Sequence, residues 1–317
     1  MNPPYSLNNE ILALVSEVSG KIGEINALFL SKQSPELRKQ NRIKTIQASL
    51  SVEGNTLTID QVTAIIENKR VIGPAKDILE VTNAISLYDQ LNKFNPFQEK
   101  SFMAAHKLLM QGLIKNAGQY RKSGVGIVKG SKITHIAPPA GNLPFLMKEL
   151  FNYVQKSKEI MLIKSCVFHY EMEFIHPFSD GNGRMGRLWQ TLLLMQQYPL
   201  FEFLPFETLI SKNQKKYYQA LSASDKKGES TSFISFMLQM INASLDELLD
   251  NRPGPISYDE RIQLFLDAGI RTFTRKDYLN YFKLISSATA SRDLASAVKY
   301  GLIRKIGDKN KTTYQVK

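Results

Sequence analysis

Apolar residues recur three and four positions apart through most of residues 6–250, as in Ile11, Val15 and Val18, in Phe102, Leu109 and Leu113, and in Phe233, Phe236, Met237 and Met240. That spacing lays them along one stripe of a helix, so the bulk of the chain is predicted to be mainly α. The pattern breaks at residues 124–137. There Val125-Gly-Ile-Val-Lys129 and Lys132-Ile-Thr-His-Ile-Ala137 flank Gly130-Ser131, which predicts a β-hairpin that Pro138 and Pro139 stop. The next break, Asn251-Arg-Pro-Gly-Pro255, reads as a linker. Beyond it, residues 259–268, 275–283 and 286–300 are predicted helices, followed by two alternating strands about Gly307-Asp-Lys-Asn310.

With 317 residues, 43% apolar and 22% charged, the chain can build a core of two hundred or more residues plus one small domain. No apolar run is long enough to span a membrane. The start, Met1-Asn2-Pro3-Pro4-Tyr5, lacks the basic and apolar stretches of a secretory signal, so a cytoplasmic protein without a membrane partner is expected. The single cysteine, Cys166, cannot form an internal disulfide and reads as a small buried hydrophobe. Charge changes the picture more. The balance is 41 basic against 29 acidic residues, or +12, and favours anionic partners. Residues 256–317 hold 12 Lys or Arg against 6 acids, half of that excess. Three helices and a basic strand pair there resemble a winged helix. Dimerisation or target docking is the leading expectation for this domain, with DNA as another candidate partner through the helix over 291–299 and the lysines at 309 and 311.

The chemistry concentrates in Ile175-His-Pro-Phe-Ser-Asp-Gly-Asn-Gly-Arg-Met-Gly-Arg187. Pro177 ends the preceding helix, which puts His176 at a helix-to-loop exit. Gly181 and Gly183 allow consecutive N–H groups to converge, and Met185, Leu188, Trp189 and Leu192 resume a helical stripe. A turn feeding a helix N-terminus is an anion site. Arg184 and Arg187, three apart, add two guanidinium groups suited to phosphate oxygens. Asp180 is a hard oxygen ligand suited to Mg²⁺, and His176 can take a proton near neutral pH. A calcium loop is excluded because Arg184, Met185 and Thr191 occupy its fifth, sixth and twelfth positions. His169 and Glu173, four apart, make an incomplete metal site, and His169 is expected to be a hydrogen-bonded core or supporting residue.

The run from His176 to Arg187 matches every fixed position of the Fic family motif, H-P-F-x-[D/E]-G-N-G-R-x-x-R. Gly118-Gln-Tyr-Arg121 and Tyr217-Tyr-Gln-Ala-Leu221 also resemble that family, over roughly residues 5–250. The resemblance implies a mainly α Fic-type helical core with a β-hairpin flap, plus the small α+β winged-helix domain. The expected divisions are an N-terminal helical region at 1–95, a catalytic core at 96–250, the linker at 251–255 and the winged helix at 256–317. The implied reaction is transfer of AMP from ATP to a Ser, Thr or Tyr hydroxyl of a target protein. Carried over, His176 is the general base, Asp180 holds Mg²⁺, and Gly181, Asn182 and Gly183 contact phosphates that Arg184 and Arg187 neutralise. Val125, Gly126, Ile127 and Val128 belong to the flap that pairs with an extended target segment. Tyr217 and Tyr218 are candidates to stack on the adenine.

Ser49-Leu-Ser-Val-Glu53-Gly-Asn55 resembles the family's inhibitory pattern, [S/T]-x-x-x-E-[G/N]. Ser49 and Glu53, in an inhibitory helix around 45–54, would share a face that Gly54 ends, presenting a carboxylate able to bind Arg187. Three other readings stay open: a DNA-binding regulator whose core senses nucleotide, a Fic enzyme using another nucleotide donor, and one that removes AMP.

Overall fold

In the computed structural model, residues 3–27, 35–124, 126–129, 132–250, 257–282, 285–308 and 312–316 are described, and the amphipathic stripes of the sequence fold as α-helices. In chain order these are α1 (Asn9–Ala27), α2 (Pro35–Val52), α3 (Ile59–Ile66), α4 (Ala75–Tyr88), α5 (Glu99–Leu109), α6 (Leu143–Lys156), α7 (Met161–Ile175), α8 (Asn182–Met195), α9 (Glu207–Lys212), α10 (Gln214–Lys227) and α11 (Thr231–Asp250). The remainder are α12 (Tyr258–Asp267), α13 (Arg275–Tyr281) and α14 (Ser287–Lys299). Strands β1 (Gly126–Lys129) and β2 (Lys132–Ile136) pair antiparallel, with a register irregularity between Ile127 and Val128. Val125 and the Gly130-Ser131 turn of the expected hairpin, and the expected linker at 251–255, lie outside the described residues. The fold is mainly α, as the periodicity predicts.

The chain divides into two compact units, residues 1–24 with 35–248, and residues 25–34 with 249–317. In the larger unit α7 is apolar on nearly every side and therefore lies at the centre, with all residues from Leu162 to Glu173 buried. Helix α8 packs along it, and a Cβ on Gly186 would come within 2.6 Å of His169 Cδ2, so only glycine permits this approach. Phe102, Phe151, Phe168 and Trp189 meet edge to face around the two helices, and Trp189 Nε1 donates to Pro96 O at 2.9 Å. Cys166 is fully buried, which pushes its thiol up to about 12. Helix α2 is also part of this core: Ile43, Ile46 and Leu50 are buried, and it packs on α3, α4, α8 and α9.

The smaller unit runs α12, β3 (Thr272–Phe273), α13, α14, β4 (Ile303–Ile306) and β5 (Thr313–Val316), with an antiparallel sheet of order β3-β5-β4. Strand β3 is not foreseen from the sequence, because two residues cannot display a period. Ser257 with Glu260 and Thr274 with Asp277 form reciprocal capping boxes that start α12 and α13, and Ser286 caps α14. Phe265, Phe273, Tyr278, Leu294 and Ile303 build its core, where Asp293 receives Arg261 at 2.7 and 2.8 Å and the Tyr278 hydroxyl at 3.1 Å. No described helix is long and apolar enough to cross a membrane.

Candidate active site

Helix α7 ends at His176, which takes the left-handed conformation with φ 49°. A residue with a Cβ is strained there, and Pro177 prevents the helix from continuing. Arg121, 3% exposed, holds this exit in place. Its backbone N–H donates to Pro177 O at 2.9 Å, its Nε to His176 O at 2.8 Å and its Nη2 to Ile175 O at 3.4 Å. The same guanidinium donates from Nη1 to Ser123 O at 2.8 Å and from Nη2 to Pro138 O at 2.6 Å, on either side of the β1–β2 hairpin. His176 Nδ1 lies 3.4 Å from Glu173 O and 4.0 Å from Glu173 Oε2.

The loop after Phe178 is folded by its own side chains. Asn182 accepts from Phe178 N at 2.9 Å and donates to Phe178 O at 3.0 Å, so its amide group braces the loop. Gly181, φ 87°, leads into α8. His106 stacks on Phe178 at 3.5 Å, receives Gly118 N–H at Nδ1 (2.8 Å) and reaches Asp180 O from Nε2 (3.0 Å). Burial lowers its pKa to about 4, and the Gly118 donor assigns the ring proton to Nε2. Asp180, with its side chain about half exposed, accepts Gly181 N–H at 2.6 Å and Arg184 Nη2 at 2.9 Å. Arg184 also donates from Nη1 to Glu80 Oε1 at 3.0 Å, while Asn55 Nδ2 donates to Glu80 Oε2 at 2.8 Å. Arg184 is 4% exposed. Its guanidinium is drawn to these carboxylates and does not line the cleft.

Arg187 is fully buried against α2. Its Nη2 donates to Glu53 Oε1 at 2.8 Å and to Ser49 O at 2.8 Å, and its Nε to Ser49 Oγ at 3.1 Å. These are the two residues that the sequence singles out at this spacing. Gly54, φ 91°, ends the helix there as expected. Burial opposes the Arg187 charge, but Glu53, Tyr217 and Glu173 more than offset it and hold the guanidinium protonated above the usual arginine range. Arg187 Nη1 is buried without a hydrogen-bond partner among the described residues. A Cβ on Gly183 would fall 2.2 Å from Glu53 Oε1 and 3.2 Å from this Nη1, so the carboxylate rests directly on the glycine turn.

A cleft of about 590 Å³ opens beside these groups. Its walls include His176, Asp180, Gly181, Asn182, Gly183 and Glu53 on one side and α10 on the other, the latter through Lys215, Tyr218, Gln219 and Asp225. Tyr218, partly buried, donates to Val52 O at 3.4 Å. Tyr217 also borders the cleft but is almost wholly buried. It is 1% exposed, and its hydroxyl lies 3.1 Å from His169 Nε2 and 3.2 Å from Glu173 Oε1, because its ring is drawn into the apolar layer with Phe233 and Phe236. His169 is a buried core residue, 2.6 Å from Gln190 Oε1, and burial lowers its pKa to about 3. Strand β2 approaches α10. Arg121, His106 and Glu80 shape this site and have no assigned role in the sequence reading. The match of Gly118-Gln-Tyr-Arg121 to the family is the one signal that could have found Arg121. The chemistry available is that of an imidazole, a half-exposed carboxylate and a glycine turn at a helix N-terminus around a cleft of nucleotide size.

The Fic/DOC family profile matches residues 96–194. The crystal structure of a Fic family protein from Desulfovibrio desulfuricans is 38% identical, superposes with a TM-score of 0.76 and covers 100% of this chain and 98% of that one. A Fic-1 structure from C. elegans is 20% identical with a TM-score of 0.65 over 76% of this chain and 72% of that one, a likeness of fold alone. A protein adenylyltransferase Fic from Aedes aegypti is 29% identical over 222 residues, 66% of this chain and 42% of the mosquito protein. This chain thus spans less than half the length of that curated relative.

Proposed function

The chain belongs to the Fic/DOC family, and from that premise we propose that it is a protein adenylyltransferase that moves AMP from ATP to a side-chain hydroxyl of a target protein and is restrained by its own Glu53. In this reading the imidazole of His176 takes the proton as the target's oxygen attacks the α-phosphorus. The bond from that phosphorus to the α,β-bridging oxygen breaks, and pyrophosphate leaves. Positioning and charge neutralisation do most of the catalysis in such a displacement. The N–H groups at the start of α8 bind phosphate oxygens, as helix N-termini do. Asp180, a half-exposed carboxylate in the cleft wall, offers hard oxygen of the kind a magnesium ion takes and is the residue that would hold it. When bound, the ion supplies charge neutralisation on the phosphates.

The observation that carries the reading is the Arg187–Glu53 pair on the glycine turn beside His176. Arg187 has a buried Nη1 in want of an acceptor, and a terminal phosphate supplies one. Glu53 occupies that place and repels the same charge, so ATP binds unproductively until the carboxylate moves. Residues 256–317, with their helix–strand–helix–helix–strand–strand order and +6 balance from 12 basic and 6 acidic residues, we read as a winged helix that docks a target or a second copy.

Intact-mass analysis of Glu53→Gly incubated with Mg²⁺ and ATP tests the proposal. Self-adenylylation should rise about 10- to 100-fold over the native chain, the worth of one charge-assisted hydrogen-bonded pair. His176→Ala should abolish it in either background. Equal incorporation by native and Glu53→Gly chains removes the inhibitory role, and an increment of phosphate in place of AMP would reassign the transferred group.

A further inference from the structure

We infer that Arg121 is a positioning residue that ties the β1–β2 hairpin to the backbone of His176, so that a segment docked along the hairpin meets the imidazole in register. The inference takes the reaction and the docking of the target along the hairpin from the adenylylation reading, and the coupling of hairpin to His176 from geometry. Arg121 binds three consecutive carbonyls, those of Ile175, His176 and Pro177, at 3.4, 2.8 and 2.9 Å. These are the peptide groups around the left-handed φ of His176, a conformation that strains a residue bearing a Cβ and persists only where the surroundings over-determine it. The two remaining arms of the fork go to Ser123 O at 2.8 Å and Pro138 O at 2.6 Å, one residue before and one after the 124–137 segment.

One buried group therefore joins both feet of the hairpin to the residue that takes the proton. Arginine suits this task because its planar fork presents five donors at fixed angles, whereas a lysine offers a single point of charge. The same short segment reaches the far end of the loop through Gly118 N–H, His106 and Asp180 O. Residues 118–121 thus set the hairpin, the base and the backbone of Asp180 against one another. A misplacement of about 1 Å between hairpin and base is enough to reduce transfer by about 100-fold.

The test uses the full-length chain with Glu53→Gly as parent and adds Arg121→Met or Arg121→Lys. Three quantities are measured: ATP affinity by calorimetry, AMP incorporation by intact mass, and hydrogen exchange of the amides at 126–129 and 132–136. Both variants should keep ATP affinity within about threefold, and Arg121→Met should lose transfer by about tenfold or more, with faster hairpin exchange. Arg121→Lys should fall between, and added methylguanidinium should restore part of the Arg121→Met activity. Unchanged hairpin exchange overturns the inference, as does a parallel loss of ATP binding and transfer in both variants without rescue. A parent that transfers no AMP sinks the adenylylation reading alone, since hairpin exchange in Arg121→Met against the native chain still decides the coupling.

Discussion

Ser49 holds Arg187 twice, through its hydroxyl and its carbonyl, and Ser49→Ala removes only the first of these contacts. A single neutral-partner bond of this kind is worth about 0.5–1.5 kcal/mol, so self-adenylylation should rise roughly 2- to 10-fold in an intact-mass time course, well short of Glu53→Gly. His106 makes a second prediction at this scale. Its folded pKa of about 4 lies below the roughly 6.5 of an unfolded histidine, so on acidification the unfolded chain takes up the proton first. The stability contributed by the neutral ring is whole above about pH 6.5 and is lost as the pH falls through about 4. Glu171 and Glu207, pushed up to about 7 by burial, act in the opposite sense over the same range. Urea unfolding of the native chain against His106→Gln isolates the histidine: the native advantage should be largest at pH 7 and shrink toward pH 4.5. His176, Asp180 and Arg187 are legible in the sequence because their chemistry lies within twelve consecutive residues. Arg121, His106 and Glu80 are not, since each acts across 55 to 104 positions on a backbone group or a buried partner that no local pattern announces. The burial of Tyr217 is not legible for a related reason, as an aromatic beside a site and an aromatic beneath it look alike until the helix is packed.

The C-terminal turn of α2, which presents Glu53, is fastened from the far side. Gln214 Nε2 and the Tyr218 hydroxyl both donate to Val52 O, at 2.7 and 3.4 Å, and Ser51 Oγ meets Ser211 Oγ at 2.8 Å. Gln214→Ala should loosen this turn and raise basal self-adenylylation a few-fold, with faster amide exchange at residues 50–54 as the accompanying signature. In the smaller unit the caps carry a separate expectation. Thr274→Ala deletes the acceptor for Asp277 N–H and the side-chain bond to its carboxylate, and should destabilise that unit by about 1 kcal/mol in thermal or denaturant melts. The helices are readable in advance wherever a stripe and a cap coincide, as at Ser257 and Ser286. Strand β3 is set by pairing of Phe273 with Tyr314, 41 positions away, and needs the tertiary structure to exist.

Residues 35–248 fall in one compact unit, which holds α2 together with α5 to α10. A chain ending at residue 250 in the Glu53→Gly background should therefore keep ATP affinity within about twofold by calorimetry, because every cleft residue belongs to that body. The side chains of Ile43, Ile46 and Leu50 anchor α2 inside it. That anchoring distinguishes the Glu53 contact from a tethered arm or a separate inhibitor protein. In the proposed reading, a restraint made from the wall of the molecule would be present once in every copy, at any dilution, and would need no stoichiometric companion. A modest tug on that one helical turn would likewise become a throttle on turnover, so output would follow the mechanical state of the wall more than the supply of nucleotide.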